Sequence, residues 1–318
     1  MQTYIIKRLL LMVPTLILVT MIVFLTVRLL PGDVIDLMEA EMGGQVQGGL
    51  DRDAIERSLG LDVPVHIQYV RWVGGILRGD LGNSLVTNRP VMEEILHRLS
   101  ISIELGFLAL VISLIIALPV GIFSAIRQDT IGDYAARSFA IAAIAIPSFW
   151  LSTMVIIYPS IWWGWSPPLE VMPFRENPLG NLGMFIIPAV IMGMIMSGTT
   201  MRMTRTMMLE VLRQDYIRTA WAKGHKEPLV VMRHALKNAL IPVVTIVGLN
   251  IPNLISGLIV VEQIFALPGL GRLIVEALSR RDYTTVSAIN LIIAVGVMAI
   301  NLGTDLIYAY LDPRVHYS

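Results

Sequence analysis

The sequence contains no cysteine and little charge. Of its 318 residues, 15% are charged and 55% are hydrophobic, whereas soluble globular domains carry about 25% charged residues. Without cysteine the chain cannot form disulfides, zinc–thiolate sites or iron–sulfur clusters. Its net charge is zero, so nothing in the composition indicates a nucleic-acid partner. The 18 methionines form no Met-x-x-Met array, so we interpret them as helix-packing residues rather than copper ligands. This composition is typical of a polytopic membrane protein.

Six long apolar runs predict an all-α membrane protein with six transmembrane helices, because one spanning helix needs about 20 largely apolar residues. The first run is too long for the apolar core of a signal peptide and no cleavage pattern follows it, so we expect it to be a retained span. The third run is too long for one span and should include a loop. The runs lie at residues 9–27, 105–126, 138–173, 177–201, 238–261 and 283–304.

The distribution of basic residues predicts that both termini are cytoplasmic. With the termini inside, 13 Lys and Arg residues fall in the short inner segments, and only 10 fall in the much longer outer segments. Such an excess on the inner side is what the positive-inside rule requires. The inner segments are 1–8, 127–137, 202–237 and 312–318; the outer ones are 31–104, 162–185 and 262–282.

The chain is therefore predicted to have four parts. Residues 1–30 hold the first span, and 31–104 form an extracytoplasmic amphipathic region. Residues 105–311 form the core membrane domain with an inner loop at 202–237, and 312–318 form a cytoplasmic tail. Within the outer region, LDRDAIERSLGL at 50–61 predicts an amphipathic helix with Asp51 as its N-cap.

Proline occurs in most of the predicted spans. Each proline removes a backbone hydrogen bond and tends to kink its helix, and such kinks persist where neighbouring helices satisfy the freed carbonyl. We interpret the pattern as that of a transporter that bends rather than of a rigid anchor. The prolines are Pro14, Pro119, Pro147, Pro188 and Pro252.

The inner loop at 202–237 has eight basic residues, yet it has the pattern of an ordered helix. Leu209, Leu212, Tyr216 and Ala220 recur at helical spacing. Gly224 should end this helix in the left-handed conformation, and a second helix should begin beyond Pro228, near Leu229. A loop that only binds anionic headgroups needs basic residues alone. The small residues before Gly224 indicate instead a docking helix for a cytoplasmic partner.

This loop resembles the EAA loop of the membrane subunits of ABC importers, and in particular that of the dipeptide/oligopeptide permease branch. The general EAA pattern has Glu and Ala where this sequence has Arg218 and Thr219, and its closing proline comes earlier than Pro242; both differences are typical of the peptide branch. The resemblance assigns contact with an ATPase subunit to Asp215, Tyr216, Ile217, Arg218, Thr219, Ala220, Ala222, Lys223, Gly224, His234 and Asn238.

The resemblance extends over the whole chain. LPGD at 30–33, RWVGGILRGDLGNSL at 71–85, EQIFALPGLGRL at 262–273 and LDPRVHY at 311–317 all look like this branch. The resemblance implies the type I fold of ABC importer permeases in a prokaryotic cytoplasmic (inner) membrane.

The resemblance also implies a set of partners. They are a second homologous permease subunit, two cytoplasmic ATPase subunits, an extracytoplasmic substrate-binding protein and membrane lipid. ATP and Mg²⁺ are expected in the ATPases and no cofactor in this chain, which lacks the GxxxxGK(S/T) phosphate loop. The chain is accordingly expected not to be an enzyme, and closure of the ATPases on ATP would bias its spans between inward- and outward-open states.

Charged residues near membrane depth are costly and often functional. We therefore name Glu262 and Asp305, with Phe265 and Pro268 beside Glu262, as candidates for a substrate path or gate. Snorkelling or helix capping is the alternative explanation for the two acidic side chains. The five histidines lie outside the apolar runs, and we expect them, including His234, in loops.

The substrate stays open at this point. Di- and oligopeptides fit the branch, which also includes carriers of nickel, oligosaccharides and glutathione-like molecules. A secondary transporter or channel would need ion or proton relays that the nearly charge-free spans do not supply. An intramembrane protease would need a Ser/His pair at depth, and no span contains histidine.

Overall fold

The computed structural model describes residues 2–28, 62–168 and 171–311. The predicted helix at 50–61 and the tail at 312–318 lie outside these residues. The regular structure in the described part is helical apart from one isolated bridge between Asn83 and Pro90. Its helices are α1 (Gln2–Arg28), α2 (Val65–Ile76), α3 (Val91–Ile126), α4 (Ile131–Ala145), α5 (Ser148–Trp163), α6 (Pro178–Leu212), α7 (Asp215–Ala222), α8 (Glu227–Ile264), α9 (Leu270–Ser279) and α10 (Tyr283–Leu311).

Five of these helices, α1, α3, α6, α8 and α10, are long and apolar enough to cross a membrane. The helices α4 and α5 pass the same test only together, and they meet at an angle of 94°. Counting this bent pair as one gives six, as the apolar runs predict. The long run at 138–173 indeed includes non-helical chain, which follows Gly164.

The break between α4 and α5 has a local cause. Ile146 precedes Pro147, and a residue before proline is driven from the helical to the extended region by contact with the proline ring. Ile146 accordingly has φ −79° and ψ 121°, and Pro147 has φ −64° and ψ 135°. Pro147 thus breaks the span outright. The other four prolines named above lie inside α1, α3, α6 and α8.

One helix crosses a predicted domain boundary, and three histidines lie in helices. The helix α3 runs without interruption through residues 104 and 105, where the outer region and the core domain were divided. The expectation that all histidines lie in loops is wrong. His66 and His97 lie in α2 and α3, and His234 lies in a π-helical turn of α8, Val230–Ala235.

The chain divides into two compact units, one within residues 1–101 and 268–298 and the other within 102–267 and 299–318. In the first unit, aromatic packing joins α1 to α2. The buried Phe24 ring lies 5.5 Å from the Tyr69 ring and 5.6 Å from the Trp72 ring, centroid to centroid. The Tyr69 hydroxyl lies 2.9 Å from Thr20 Oγ1, which gives the polar end of that ring a partner.

The buried carboxylate of Asp282 fixes the loop before α3 in the same unit. It accepts hydrogen bonds from Ser84 Oγ, from the Leu85 N–H at 3.2 Å, and from the N–H and hydroxyl of Thr285 at 3.2 and 2.8 Å. Asp282 immediately precedes α10, so its bond to the Thr285 N–H also caps the start of that helix. One side chain thus holds both the loop and the start of α10.

In the second unit α6 is the central helix, with α4, α5 and α8 packed against it. Glycine allows two of the close approaches. A Cβ on Gly193 would lie 2.8 Å from the Ala109 carbonyl oxygen of α3, and a Cβ on Gly198 would lie 2.8 Å from the Ala140 carbonyl oxygen of α4. Any larger residue at either position would therefore push backbones apart, so the small residues set the spacing of these helices.

Candidate coupling site

The inner loop folds as a short helix, α7, between α6 and α8. The long helix α6 ends at Leu212, and the chain turns at Arg213 and Gln214 before α7 starts at Asp215. The Asp215 carboxylate sits in the first turn, where it complements the positive end of the helix dipole.

The end of α7 is a Schellman motif. Gly224 has φ +79°, its N–H donates to the Trp221 carbonyl at 2.9 Å, and the His225 N–H donates to the Ala220 carbonyl at 3.4 Å. These two bonds satisfy carbonyls that a helix end otherwise leaves without partners. The prediction that Gly224 ends this helix in the left-handed conformation is confirmed. The next helix begins at Glu227, with Pro228 in its first turn, slightly earlier than predicted.

Two side chains hold α7 on the rest of the unit. Ile217 is fully buried and Ala220 is 6% exposed. They pack into an apolar cluster whose other members come from α3, α6 and α8; we call this cluster the seat of α7. Those members are Ala125, Met208, Val230, Val231, Ala235 and Ala239.

The opposite face of α7 is exposed and carries aromatic and charged groups. Tyr216 and Trp221 are each 44% exposed. Arg218 and Asp215 form an ion pair at 3.3 Å with side chains 75% and 95% exposed, a pair that solvent screens strongly. Three further predicted residues share the exposed surface of α7 and its end: Thr219, Ala222 and Lys223.

The predicted apolar stripe is only partly right. Leu209 and Leu212 pack against the seat, and Ala220 belongs to it, but Tyr216 is not among its members. The turn at Arg213 and Gln214 interrupts the helix and resets its register, so Ile217 takes the inward position. The Tyr216 hydroxyl instead accepts a hydrogen bond from Asn238 Nδ2 at 2.8 Å.

The structure therefore brings two distant members of the predicted set, Tyr216 and Asn238, into contact. His234 lies on the π-helical turn, and its ring stacks on that of His225 with centroids 5.8 Å apart and an interplanar angle of 25°. Both contacts tie the exposed face of α7 and its end to the first turns of α8. The predicted coupling residues thus share one surface, except Ile217 and Ala220, which anchor it.

Two of the residues predicted for a substrate path are buried at the end of α8. Glu262 is fully buried near the end of α8, where Ser102 Oγ donates to its carboxylate at 2.5 Å, and Phe265 follows as the helix cap, 2% exposed. The Leu267 N–H donates to the Glu262 carbonyl at 2.9 Å, closing the turn after α8. Pro268 belongs to the first unit, and Asp305 lies half-buried in α10.

One buried ion pair was not predicted. Asp133 at the start of α4 is fully buried and binds Arg205 of α6 through two hydrogen bonds of 2.8 Å. The two residues are 72 positions apart, so sequence spacing could not pair them. The sequence did show one signal: Asp133 precedes the apolar run at 138–173, and Arg205 follows the run at 177–201, so both lie at predicted inner ends.

Comparison with known proteins decides the family. A family model described as "binding-protein-dependent transport system inner membrane component" matches residues 117–317, and the model of the corresponding N-terminal region matches residues 1–106. The chain belongs to this family. It is accordingly a multi-pass protein of the inner membrane, as the apolar runs predict.

Full-length relatives agree with this assignment. The chain is 39% identical to a putative peptide transport system permease protein of Brucella suis, with all of both chains covered. It is 37% identical to the dipeptide transport system permease protein DppB of Escherichia coli K12, over 100% of this chain and 99% of that protein. It is 40% identical to the oligopeptide transport system permease protein AppB of Bacillus subtilis 168, again over both complete lengths.

Solved structures show the same fold. A chain of the inward-facing MetNI methionine ABC transporter matches with a TM-score of 0.55 at 17% identity, covering 70% of this chain and 97% of that one. A chain of an amino acid ABC transporter matches with a TM-score of 0.51 at 13% identity, covering 70% and 95%. The permease fold expected from the resemblance is confirmed.

Proposed function

We propose that this inner-membrane component forms half of the translocation path of an ATP-driven importer of di- and oligopeptides. Membership of the family supports a role in a binding-protein-dependent transport system. The names of the three relatives above support peptides as the substrate class. Nickel, oligosaccharides and glutathione-like molecules are the substrates that would replace peptides if peptide uptake is not found.

The observation that carries this proposal is the two-sided build of α7. Its inner side is held by Ile217 and Ala220, and its outer side presents two half-exposed aromatic residues and exposed charges. Aromatic rings and arginine are enriched where protein partners bind. An exposed helix of this kind, placed between two membrane helices, can seat in a partner and pass the partner's displacement to the spans.

The partner is a cytoplasmic ATPase subunit, and the termini and α7 lie on the cytoplasmic side, as the basic residues predict. Two ATPase subunits bind ATP and Mg²⁺, and their closure on ATP moves the α7 helices of this chain and of a second permease subunit. Nucleotide then biases the spans between inward- and outward-open states by binding one state more tightly. A binding protein delivers substrate at the extracytoplasmic side, and membrane lipid covers the exposed apolar faces.

Purification of the native complex tests the composition. The chain is tagged at its C-terminus and extracted gently, and co-purifying chains are identified by mass spectrometry. We expect a second permease, ATPases with phosphate loops and a binding protein. Recovery of the chain alone, under conditions that preserve other inner-membrane complexes, would refute the proposal.

A charge reversal tests the contact. Arg218→Glu should lower the amount of ATPase recovered with the chain, because it replaces an exposed cation of α7 by an anion. Arg137→Glu makes the same change at an exposed position of α4, a helix with no described residue in the seat, and should leave ATPase recovery unchanged. Equal ATPase recovery with both variants would place the docking surface elsewhere.

Uptake in proteoliposomes tests the substrate. The purified complex and its binding protein are given labelled dipeptides, pentapeptides, nickel or an oligosaccharide, with and without ATP at the ATPase side. We expect ATP-dependent transport of peptides. ATP-dependent transport of another class would keep the importer and change its substrate.

A further inference from the structure

A buried carboxylate at the start of α4 joins three segments of the second unit. Asp133 is fully buried, and its two oxygens accept hydrogen bonds from Arg205 Nε and Nη2, both at 2.8 Å. Ser124 Oγ donates to the same carboxylate, and so does the Asp129 N–H at 3.1 Å. The carboxylate thus ties together the last turn of α3, the connection to α4, and α6.

The helices α3 and α6 also form part of the seat of α7. Ser124 is followed by Ala125, which belongs to the seat, and Arg205 lies about one turn before Met208, which also belongs to it. Among the described residues, the seat includes side chains of α3, α6, α7 and α8 but none of α4. A displacement of α7 therefore acts directly on α3 and α6, whereas α4 must be carried with them by other contacts.

Two kinds of contact connect α4 to these helices. One is apolar: Ala140 packs with Ala117 and Met201, and Gly198 lies against the Ala140 backbone. These contacts set the spacing of the helices, but the hydrophobic effect behind them is non-directional. The other is the ion pair, whose two parallel N–H···O bonds fix both the distance and the orientation of the two groups.

We propose that Asp133 and Arg205 are positioning residues for transport, which make α4 move together with α3 and α6 when α7 is displaced. This inference rests on the proposed function of α7. It deepens that function because it says how displacement of a helix seated on α3, α6 and α8 reaches the bent pair of α4 and α5.

A role in transport can be separated from a role in stability. Replacing both partners of a buried ion pair by well-packed uncharged residues of similar volume is often neutral for stability, whereas removing one partner leaves an uncompensated charge. The informative variant is therefore the double replacement Asp133→Asn with Arg205→Met. The new amide can keep its oxygen for the Asp129 N–H, which bonds Oδ2, and turn its NH2 group to donate to Ser124 Oγ, which bonds Oδ1 in the wild type. The new thioether keeps much of the length of the arginine side chain, while both charges are lost.

The experiment measures ATP hydrolysed per peptide imported by the complete complex in proteoliposomes. In the double variant we expect normal recovery of the ATPases, a normal melting temperature, and a ratio raised at least about fivefold, the low end of coupling between sites in allosteric proteins. Arg205→Lys keeps the charge without the paired geometry, and its ratio of ATP to peptide should lie between those of the wild type and the double variant. Arg202→Met, one turn earlier on α6 and exposed, is the matched control and should behave as wild type.

Two results would overturn the inference. The first is a wild-type ratio in an assembled double variant. The second is failure of both the double variant and Arg205→Lys to assemble, because the pair would then belong to folding and not to transport.

A second measurement separates this inference from the proposed function. The chain has no cysteine, so spin labels can be placed at the exposed positions Tyr134 of α4 and Thr206 of α6 without altering native residues elsewhere. We expect a narrow distance distribution in the wild type and a broadened one in the double variant. If wild-type complexes import nothing, the proposed function fails, but this measurement still decides whether the pair holds α4 to α6. Distance distributions of equal width in the wild type and the double variant would refute the role of the pair.

Discussion

Replacement of Gly224 tests whether the backbone at the end of α7 transmits the ATPase signal. Gly224 has φ +79°, and no atom lies within 4 Å of where its Cβ would be. A side chain there meets open space, so its only cost within this chain is the left-handed backbone conformation, about 1–2 kcal/mol for an L-residue. Valine should fall at the upper end of this range because a β-branched residue is a severe outlier at positive φ.

A cost of about 1–2 kcal/mol shifts the equilibrium between the formed and the opened turn by about 5- to 30-fold. Gly224→Val should therefore raise the ATP hydrolysed per peptide imported, while membrane insertion stays intact because the apolar helices are unchanged. Gly224→Asn should be much milder, since Asn adopts the left-handed conformation more readily than other L-residues. The assay is uptake and ATP hydrolysis by the same proteoliposomes.

A matched control exists in the first unit. Gly79 also has φ +79° and open space around its Cβ position, so Gly79→Val carries the same conformational cost without touching α7. It should leave the ratio of ATP to peptide unchanged. Normal import by Gly224→Val would refute the reasoning. An equal rise of the ATP-to-peptide ratio in Gly224→Val and Gly224→Asn would also refute the reasoning. The cause would then be the volume of the added side chain against a partner, not the backbone conformation.

Three further predictions concern the seat, the exposed face and a helix contact. Ile217→Ala should lower the melting temperature in detergent, because truncating a fully buried isoleucine typically costs about 2–5 kcal/mol; an unchanged melting temperature would contradict the packing of α7. Trp221→Ala, at a half-exposed position, should leave the melting temperature unchanged but lower ATPase recovery, and full recovery would remove this ring from the docking surface. Gly248→Ala should lower the melting temperature because its Cβ would meet the Thr304 side chain of α10, whereas Gly303→Ala, with open space, should not; equal melting temperatures would show that the two helices can separate freely.

The number and order of the membrane helices could be predicted from the sequence, because the thickness of the bilayer sets the length of an apolar run. Helix ends could not be predicted in the same way. The helix α3 begins at Val91, ahead of the apolar run at 105–126, because polar residues continue the helix without a break. Hydrophobicity indicates which part of a helix lies in lipid, but it does not indicate how far the helix extends beyond the lipid.

The position of Tyr216 shows a second limit. Leu209, Leu212, Tyr216 and Ala220 fit one helical stripe only if the helix is continuous, and the chain turns after Leu212. Neither glycine nor proline marks that turn, so the pattern carried no signal of it. Gly224, in contrast, was predictable because a helix end with positive φ strongly favours one residue type.

Pairings between distant residues were beyond prediction for a different reason. Asp133 meets Arg205 across 72 positions, and Ser84 meets Asp282 across 198. A single sequence shows that a charge lies at a helix end, and it does not show which distant helix packs there. Contacts of this kind are therefore visible only in the structure.

The shortness of α7 makes its order depend on its seat. Isolated helices shorter than about 12–15 residues are marginal in water, and α7 has only 8 residues. Its order therefore depends on Ile217 and Ala220 in the seat, on the Schellman end, and on any partner that covers Tyr216 and Trp221. A partner that binds α7 thus binds most tightly the arrangement of α3, α6 and α8 in which the seat is complete. In the proposed mechanism, such a partner biases the membrane helices without touching them, and the ion pair of Asp133 and Arg205 provides the directional link from the helices of the seat to the bent pair, α4 and α5.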